Sequence, residues 1–202
     1  ILTPEQKAIL SMVSEIPALK EMYLSGGTAL SGFYFHHRFS EDLDFFSDEP
    51  FDINFLHSFV VTLKKKIKAS SFEYHRLYDL NIYVLHKKGG EIKIEFTLYP
   101  FKKLTPRKLM KGKRIDSLRD IAANKLMVML DRFDPKDYVD LYFLLQKASL
   151  EKLTADAKKK FGAIIPPLFL GSQMGRVKSI FALPKMIKPI TIDELKDFFE
   201  GL

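Results

Sequence analysis

Leu24-Ser25-Gly26-Gly27-Thr28-Ala29-Leu30, followed after an apolar segment by His37-Arg38-Phe39-Ser40-Glu41-Asp42-Leu43-Asp44-Phe45-Phe46, is the stretch that decides the fold. Side chains alternate between the two faces of a β-strand, so Asp42 and Asp44 project to one side while Leu43 and Phe45 project to the other. Two carboxylates on one face repel each other unless positive charge stands between them. A divalent cation that prefers hard oxygen ligands, Mg²⁺ or Mn²⁺, answers that need and leaves phosphate oxygens to complete its shell. A strand that ends in Gly26-Gly27 ahead of a helix lets backbone N–H groups approach such a phosphate. Thr28 either adds a hydroxyl contact or caps that helix.

Outward from this stretch the pattern reads as alternating elements. Thr3 is placed to cap a helix with Pro4 at its first position, running to about residue 16. A short strand follows at 22–25, then a second helix from about 28 to 37, and the acidic strand ends near Asp48-Glu49-Pro50. Helical apolar spacing over 53–69 finishes in Lys64-Lys65-Lys66-Ile67-Lys68, a solvated helix end or, alternatively, an RNA contact. Strands are predicted at 72–78, 82–86 and 91–99, with Gly89-Gly90 as a hairpin turn. From Ser117 the period turns helical, predicting helices over 117–132, 135–147, 150–161 and 192–199, with 166–189 as loop and short helical pieces. The expected architecture is α+β (α/β), with a mixed sheet flanked by helices in residues 1–115 and a helical region in 116–202.

Composition narrows the class. The 202 residues are 47% hydrophobic, which suits a packed globule. No apolar run approaches the roughly 20 residues a membrane helix needs, and no secretory signal is visible, so no membrane association is expected. Cysteine is absent, excluding disulfides and thiolate metal sites and fitting a cytoplasmic location. A formal charge of +7 favours an acidic partner, nucleotide or nucleic acid.

A third acid comes from Glu91-Ile92-Lys93-Ile94-Glu95-Phe96-Thr97-Leu98. Ile92, Ile94, Phe96 and Leu98 share one face, leaving Lys93, Glu95 and Thr97 on the other. Glu95 joins Asp42 and Asp44 if the two strands are neighbours with polar faces aligned, and three carboxylates can bind two metal ions. Otherwise Glu95 is the solvent side of an amphipathic strand. In the helical region Lys125 and Arg132 lie seven apart on one helix face, Lys136 follows just beyond the turn, and Asp137 and Asp140 neighbour each other on the next helix. Lys125 then contacts phosphate while Arg132, Lys136, Asp137 and Asp140 shape the cleft or orient the lysine. Asp134 and Asp137 equally fit an acidic cap with a first-turn carboxylate, whereas Asp140 lies too far into the helix for that. Arg38 and Ser40 flank the acidic strand, placed to pair with it or to touch phosphate. His36 and His37 point different ways and make a poor metal pair.

Glycine pair, Asp-x-Asp strand and third acid together resemble the nucleotidyltransferase superfamily that includes DNA polymerase β. The wording of Gly26-Gly27-Thr28-Ala29-Leu30, of His37 to Phe45, and of Lys125 through Asp137-Tyr138-Val139-Asp140-Leu141 is similar to the AbiEii/AbiGii toxin family of toxin–antitoxin and phage-defence systems. The resemblance covers roughly residues 22–147. It implies a nucleotidyltransferase-like mixed sheet in which Gly26, Gly27 and Thr28 hold nucleotide phosphates and Asp42, Asp44 and Glu95 hold metal. Lys125 and Asp140, with Arg132, Lys136 and Asp137 nearby, match the family's lysine and aspartate motif. It further implies a nucleoside triphosphate substrate such as GTP, transfer to the 3′ end of tRNA in some members, and a cognate antitoxin.

The expectation is therefore Mg²⁺-dependent transfer of a nucleoside monophosphate from a triphosphate to an RNA hydroxyl. Three rivals remain at this point. One is a non-catalytic nucleotide-binding module acting through a protein partner, and another is transfer to a small hydroxylated compound. The third is a Ca²⁺ or structural acidic turn, against which the strand phasing of the acids argues, since a calcium loop spaces its ligands along one turn.

Overall fold

A computed structural model describes residues 2–202, and the chain divides into two compact units. The first takes the chain up to Ala29, Ser40–Pro100 and Arg107–Asp116; the second takes Leu30–Phe39, Phe101–Pro106 and Ser117–Leu202.

In the first unit, α1 (Pro4–Glu15) opens with a capping box: the Thr3 hydroxyl accepts from the Gln6 backbone N–H at 3.1 Å and the Gln6 side-chain Oε1 accepts from the Thr3 backbone N–H at 2.9 Å. A 3₁₀ turn (Pro17–Leu19) leads to β1 (Tyr23–Leu24), then α2 (Gly26–Ala29), β2 (Leu43–Ser47) and α3 (Ile53–Lys66). A meander of β3 (Ser71–Leu77), β4 (Leu80–Lys87) and β5 (Gly90–Leu98) follows, and the hairpin β6 (Lys108–Met110) and β7 (Lys113–Ile115) completes the unit. The strands form one mixed sheet in the order β3-β4-β5-β2-β1-β7-β6, with β2 parallel to β5 and antiparallel to β1.

The alternation seen in the sequence sets the two faces of this sheet. Leu43 and Phe45 on β2 and Ile92, Ile94 and Phe96 on β5 are buried, and the Phe45 and Phe96 rings stack at 5.3 Å. Leu56, Phe59, Val60 and Leu63 of α3 form a buried stripe at helical spacing, and Phe59 meets Phe96 edge to face at 6.3 Å. The opposite face of β2 and β5 is left to Asp44 and Glu95.

The second unit holds a π-helical turn (Leu30–Tyr34), α4 (Leu118–Asp131), α5 (Pro135–Leu145), α6 (Leu150–Phe161), α7 (Pro167–Gly175), a 3₁₀ turn (Arg176–Ser179) and α8 (Ile192–Glu200). Ser117 caps α4 and Asp134 caps α5. A buried pair, Lys160 Nζ to Asp120 Oδ1 at 2.9 Å, ties α6 to α4. Asp120 also accepts from the backbone N–H groups of Leu104 and Thr105, which is why that segment belongs with the helices.

Two elements differ from the sequence reading. The helix predicted over 28–37 already starts at Gly26, widens to a π turn and stops before His36, whose φ of +52° is left-handed. The hairpin of β6 and β7 was not foreseen; its two-residue loop, Lys111-Gly112, has φ of +50° and +72°, as a type I′ turn requires. α7 and the 3₁₀ turn after it are the short helical pieces expected within 166–189, and Pro167 sits at a first helical position where proline is tolerated.

Candidate active site

The acid face of the first unit is built by register. Asp44 and Glu95 are direct partners on the parallel strands β2 and β5, Leu43 pairs with Ile94, and Asp42, just ahead of β2, lies within reach of Lys93. The Lys93 ammonium lies 2.8 Å from Glu95 Oε1 and 3.4 Å from Asp42 Oδ2. Partial burial works against its charge, yet Glu95 and Asp42 outweigh that and raise its pKa. The positive charge that the paired acids demand is thus supplied by the chain itself.

Several neighbours fix this face. Gly26 has φ of +67°, and a Cβ there would run into the Asp44 carboxylate, so only glycine lets the turn and the acid coexist. The Ser25 N–H donates to the Asp44 carbonyl at 2.9 Å, and the Ser25 hydroxyl donates to the buried Asp116 at 2.9 Å. Thr28 is fully buried: its hydroxyl donates to the Asp42 carbonyl and is hydrogen-bonded to the Ser40 hydroxyl at 2.8 Å. The Gln6 amide donates to the Ser40 and Glu41 carbonyls at 2.8 and 3.1 Å. Thr28 and Ser40 therefore hold the backbone that carries Asp42.

The residues fit a divalent cation in donor chemistry, being hard carboxylate oxygens from two adjacent strands with an ammonium standing in among them. Among the described residues no three His, Asp or Glu side chains converge into a ready coordination shell.

The second unit carries a different cluster, centred on Asp140. His37 Nε2 lies 2.8 Å from Asp140 Oδ1, and Arg38 clasps both carboxylate oxygens through Nε and Nη2 at 2.7 and 2.8 Å. Arg38 Nη1 donates to the Phe39 carbonyl, so each of its three nitrogens has a protein acceptor. The left-handed turn at His36 delivers the next two side chains to one acid. Lys125 Nζ bridges Asp140 Oδ2 and Asp137 Oδ1 at 2.7 and 2.8 Å, and Arg132 Nε reaches Asp137 Oδ2 at 2.9 Å.

His37, Arg38, Lys125, Asp137 and Asp140 are all buried, Arg132 is exposed and so is Lys136. Burial opposes the Asp140 carboxylate, but Lys125, His37 and Arg38 prevail and hold its pKa far below the usual range. Burial likewise opposes the Lys125 ammonium, and Asp140 and Asp137 raise its pKa all the same. His37 goes the other way: burial lowers its pKa despite Asp140, which leaves a neutral ring whose Nε2–H donates and whose buried Nδ1 has no hydrogen-bond partner.

The structure thus gathers the sequence-predicted residues into two groups, one per unit: Gly26, Gly27, Thr28, Ser40, Asp42, Asp44 and Glu95, and separately Arg38, Lys125, Arg132, Lys136, Asp137 and Asp140. The capping role belongs to Asp134, while the Asp137 side chain serves Lys125 and Arg132. Sequence reasoning missed Lys93, although its phase beside Glu95 was visible, and His37, which was weighed only with His36 as a metal pair. Asp116 and Gln6 left no local signal, because their partners lie far along the chain.

A glycine turn packed on the second acid of an Asp-x-Asp strand, with a third acid in register on a parallel neighbour, marks the nucleotidyltransferase class. Two solved structures share the fold. A putative nucleotidyltransferase from H. pylori matches with a TM-score of 0.67 and 20% identity over 98% of this chain and 91% of that one. JHP933 from Helicobacter pylori matches with a TM-score of 0.60 and 22% identity over 98% and 88%. An uncharacterized protein of Aquifex aeolicus (strain VF5) is 34% identical over 166 residues, 79% of this chain and 76% of its own length. The family model described as nucleotidyl transferase AbiEii toxin, type IV TA system, matches residues 8–200, and the chain belongs to that nucleotidyltransferase family. Among the described residues no helix is long and apolar enough to cross a membrane.

Proposed function

We propose that this chain transfers a nucleoside monophosphate from a nucleoside triphosphate to a hydroxyl of RNA, with tRNA as the favoured acceptor, and that a cognate antitoxin restrains it. The observation that carries the reading is the register of Asp44 against Glu95, with Gly26 packed beneath the Asp44 carboxylate. Asp42, Asp44 and Glu95 would hold Mg²⁺ or Mn²⁺, which when bound neutralises phosphate charge and activates the attacking oxygen.

Gly26 and Gly27 present backbone N–H groups to phosphate oxygens. Thr28, Ser40 and Gln6 keep the Asp42 backbone in place, so the acids need little reorganisation. The acceptor hydroxyl attacks the α-phosphorus in line: a new O–P bond forms, the bond to the β-phosphate oxygen breaks, and pyrophosphate leaves. In the helical unit, Asp140, itself paired with Lys125, holds His37 and Arg38, while exposed Arg132 and Lys136 offer charge to a polyphosphate or RNA backbone. The net charge of +7 supports a polyanionic acceptor.

The test is label transfer from each α-labelled nucleoside triphosphate to total bacterial RNA with Mg²⁺ or Mn²⁺, beside an Asp42→Ala, Asp44→Ala control. Label on RNA only with intact aspartates is the expected result. Nucleotide binding without transfer to any RNA would reject the RNA acceptor.

A further inference from the structure

Lys93 is the cation of the acid face for which transfer chemistry alone gives no task. It projects from β5 two residues before Glu95 and holds two carboxylates, Glu95 of β5 at 2.8 Å and Asp42, just ahead of β2, at 3.4 Å. The side chains of Lys93, Asp42 and Glu95 are 36%, 44% and 19% exposed, so water reaches the bridge and its opening is inexpensive. Lysine suits such a bridge: its charge is a compact point on a flexible stem with three donors, able to change acceptors without moving the strand. An arginine fork would fix one planar geometry instead.

The carboxylate oxygens that Lys93 holds are those a divalent cation needs, so the two positive charges compete for them. We propose that Lys93 is an internal counter-cation, which occupies the acid face until a divalent cation arrives with its triphosphate and then shifts to the phosphate oxygens. The proposal rests on the reading of Asp42, Asp44 and Glu95 as the metal-binding residues. Lys93 keeps the acid face from splaying before metal binds, weakens binding of bare metal, and makes metal and nucleotide enter together. It is a positioning residue before binding and a phosphate ligand after it.

The test is Mn²⁺ alone, titrated into the full chain and followed by the electron paramagnetic resonance of free Mn²⁺. Wild type is compared with Lys93→Met, Lys93→Arg and Asp42→Asn, Asp44→Asn. With its competitor removed, Lys93→Met is expected to bind Mn²⁺ roughly five- to tenfold more tightly, and Lys93→Arg to stay near wild type. A structural defect would weaken binding, so tightening cannot come from damage; thermal unfolding of each variant checks the fold. Unchanged or weaker binding in Lys93→Met, with binding still lost in the double aspartate variant, would overturn the role of Lys93 alone. Mn²⁺ binding that survives in the double aspartate variant, or no binding by wild type and Lys93→Met alike, would overturn the metal-centre reading and this proposal with it.

Discussion

The acid face of the sheet unit and the Asp140 cluster of the helical unit use the same residue types in opposite settings. Asp42, Asp44, Glu95 and Lys93 are partly open to water, whereas Asp137, Asp140, Lys125 and Arg38 are buried. In water an ion pair contributes about 0–1 kcal/mol and can be exchanged for a ligand. Removing one member of a buried pair strands the others in a poor dielectric and costs about 3–5 kcal/mol. Burial therefore divides the charged motif residues by what it costs to break their ion pairs.

The sharpest way to break this comparison is to neutralise one acid from each cluster. Asp140→Asn leaves Arg38 and Lys125 buried with their shared partner gone, and we expect a loss of about 3–5 kcal/mol in urea unfolding. Asp42→Asn, at the half-open face, should change stability by less than about 1 kcal/mol while abolishing transfer. Equal destabilisation by the two would show that the acid face is scaffold too.

A second comparison uses two left-handed glycines. Gly26 at φ +67° and Gly162 at φ +70° carry nearly the same backbone burden, but a Cβ at Gly162 meets open space while one at Gly26 meets Asp44. Gly162→Ala should cost about 1 kcal/mol, the backbone term alone. Gly26→Ala should cost about 1–3 kcal/mol and displace the Asp44 carboxylate, so activity falls far more than stability. Matching effects at the two sites would mean that Asp44 yields without consequence.

Much of this was legible because it is local. Strand phase placed Leu43, Phe45, Ile92, Ile94 and Phe96 inside and the acids outside, and the Thr3-Pro4 start of α1 and the Asp134-Pro135 start of α5 follow from capping chemistry. The direct pairing of Asp44 with Glu95 was conditional in the sequence, since periodicity gives a side chain's face but not its neighbouring strand. Partners distant along the chain left no trace: His37 and Arg38 with Asp140, and Ser25 with Asp116. The hairpin of β6 and β7 was hidden by strands of three residues each, too short to establish a period.

The smallest effect we expect is a proton count. His37 donates from Nε2 to Asp140, and burial, reinforced by the Arg38 and Lys125 charges, keeps its folded pKa below the usual 6.5 even though Asp140 favours the charged ring. As pH falls through about 6.5 the unfolded chain takes up a proton at this histidine that the folded chain refuses, so stability declines toward acid. The slope from one such group cannot exceed about 1.4 kcal/mol per pH unit. Asp140 acts in the same direction but only below about pH 4, where the unfolded carboxyl protonates and the folded one, held down by Lys125, His37 and Arg38, does not. Urea midpoints at pH 7.5, 6.5 and 5.5 therefore isolate the histidine from the acid. His37→Gln, whose amide can still donate to Asp140, should flatten the wild-type slope across that window. If both proteins lose stability equally between pH 7.5 and 5.5, His37 is not the group held neutral, and the buried cluster carries its charge differently from the arrangement of Arg38, Lys125 and Asp140 derived above.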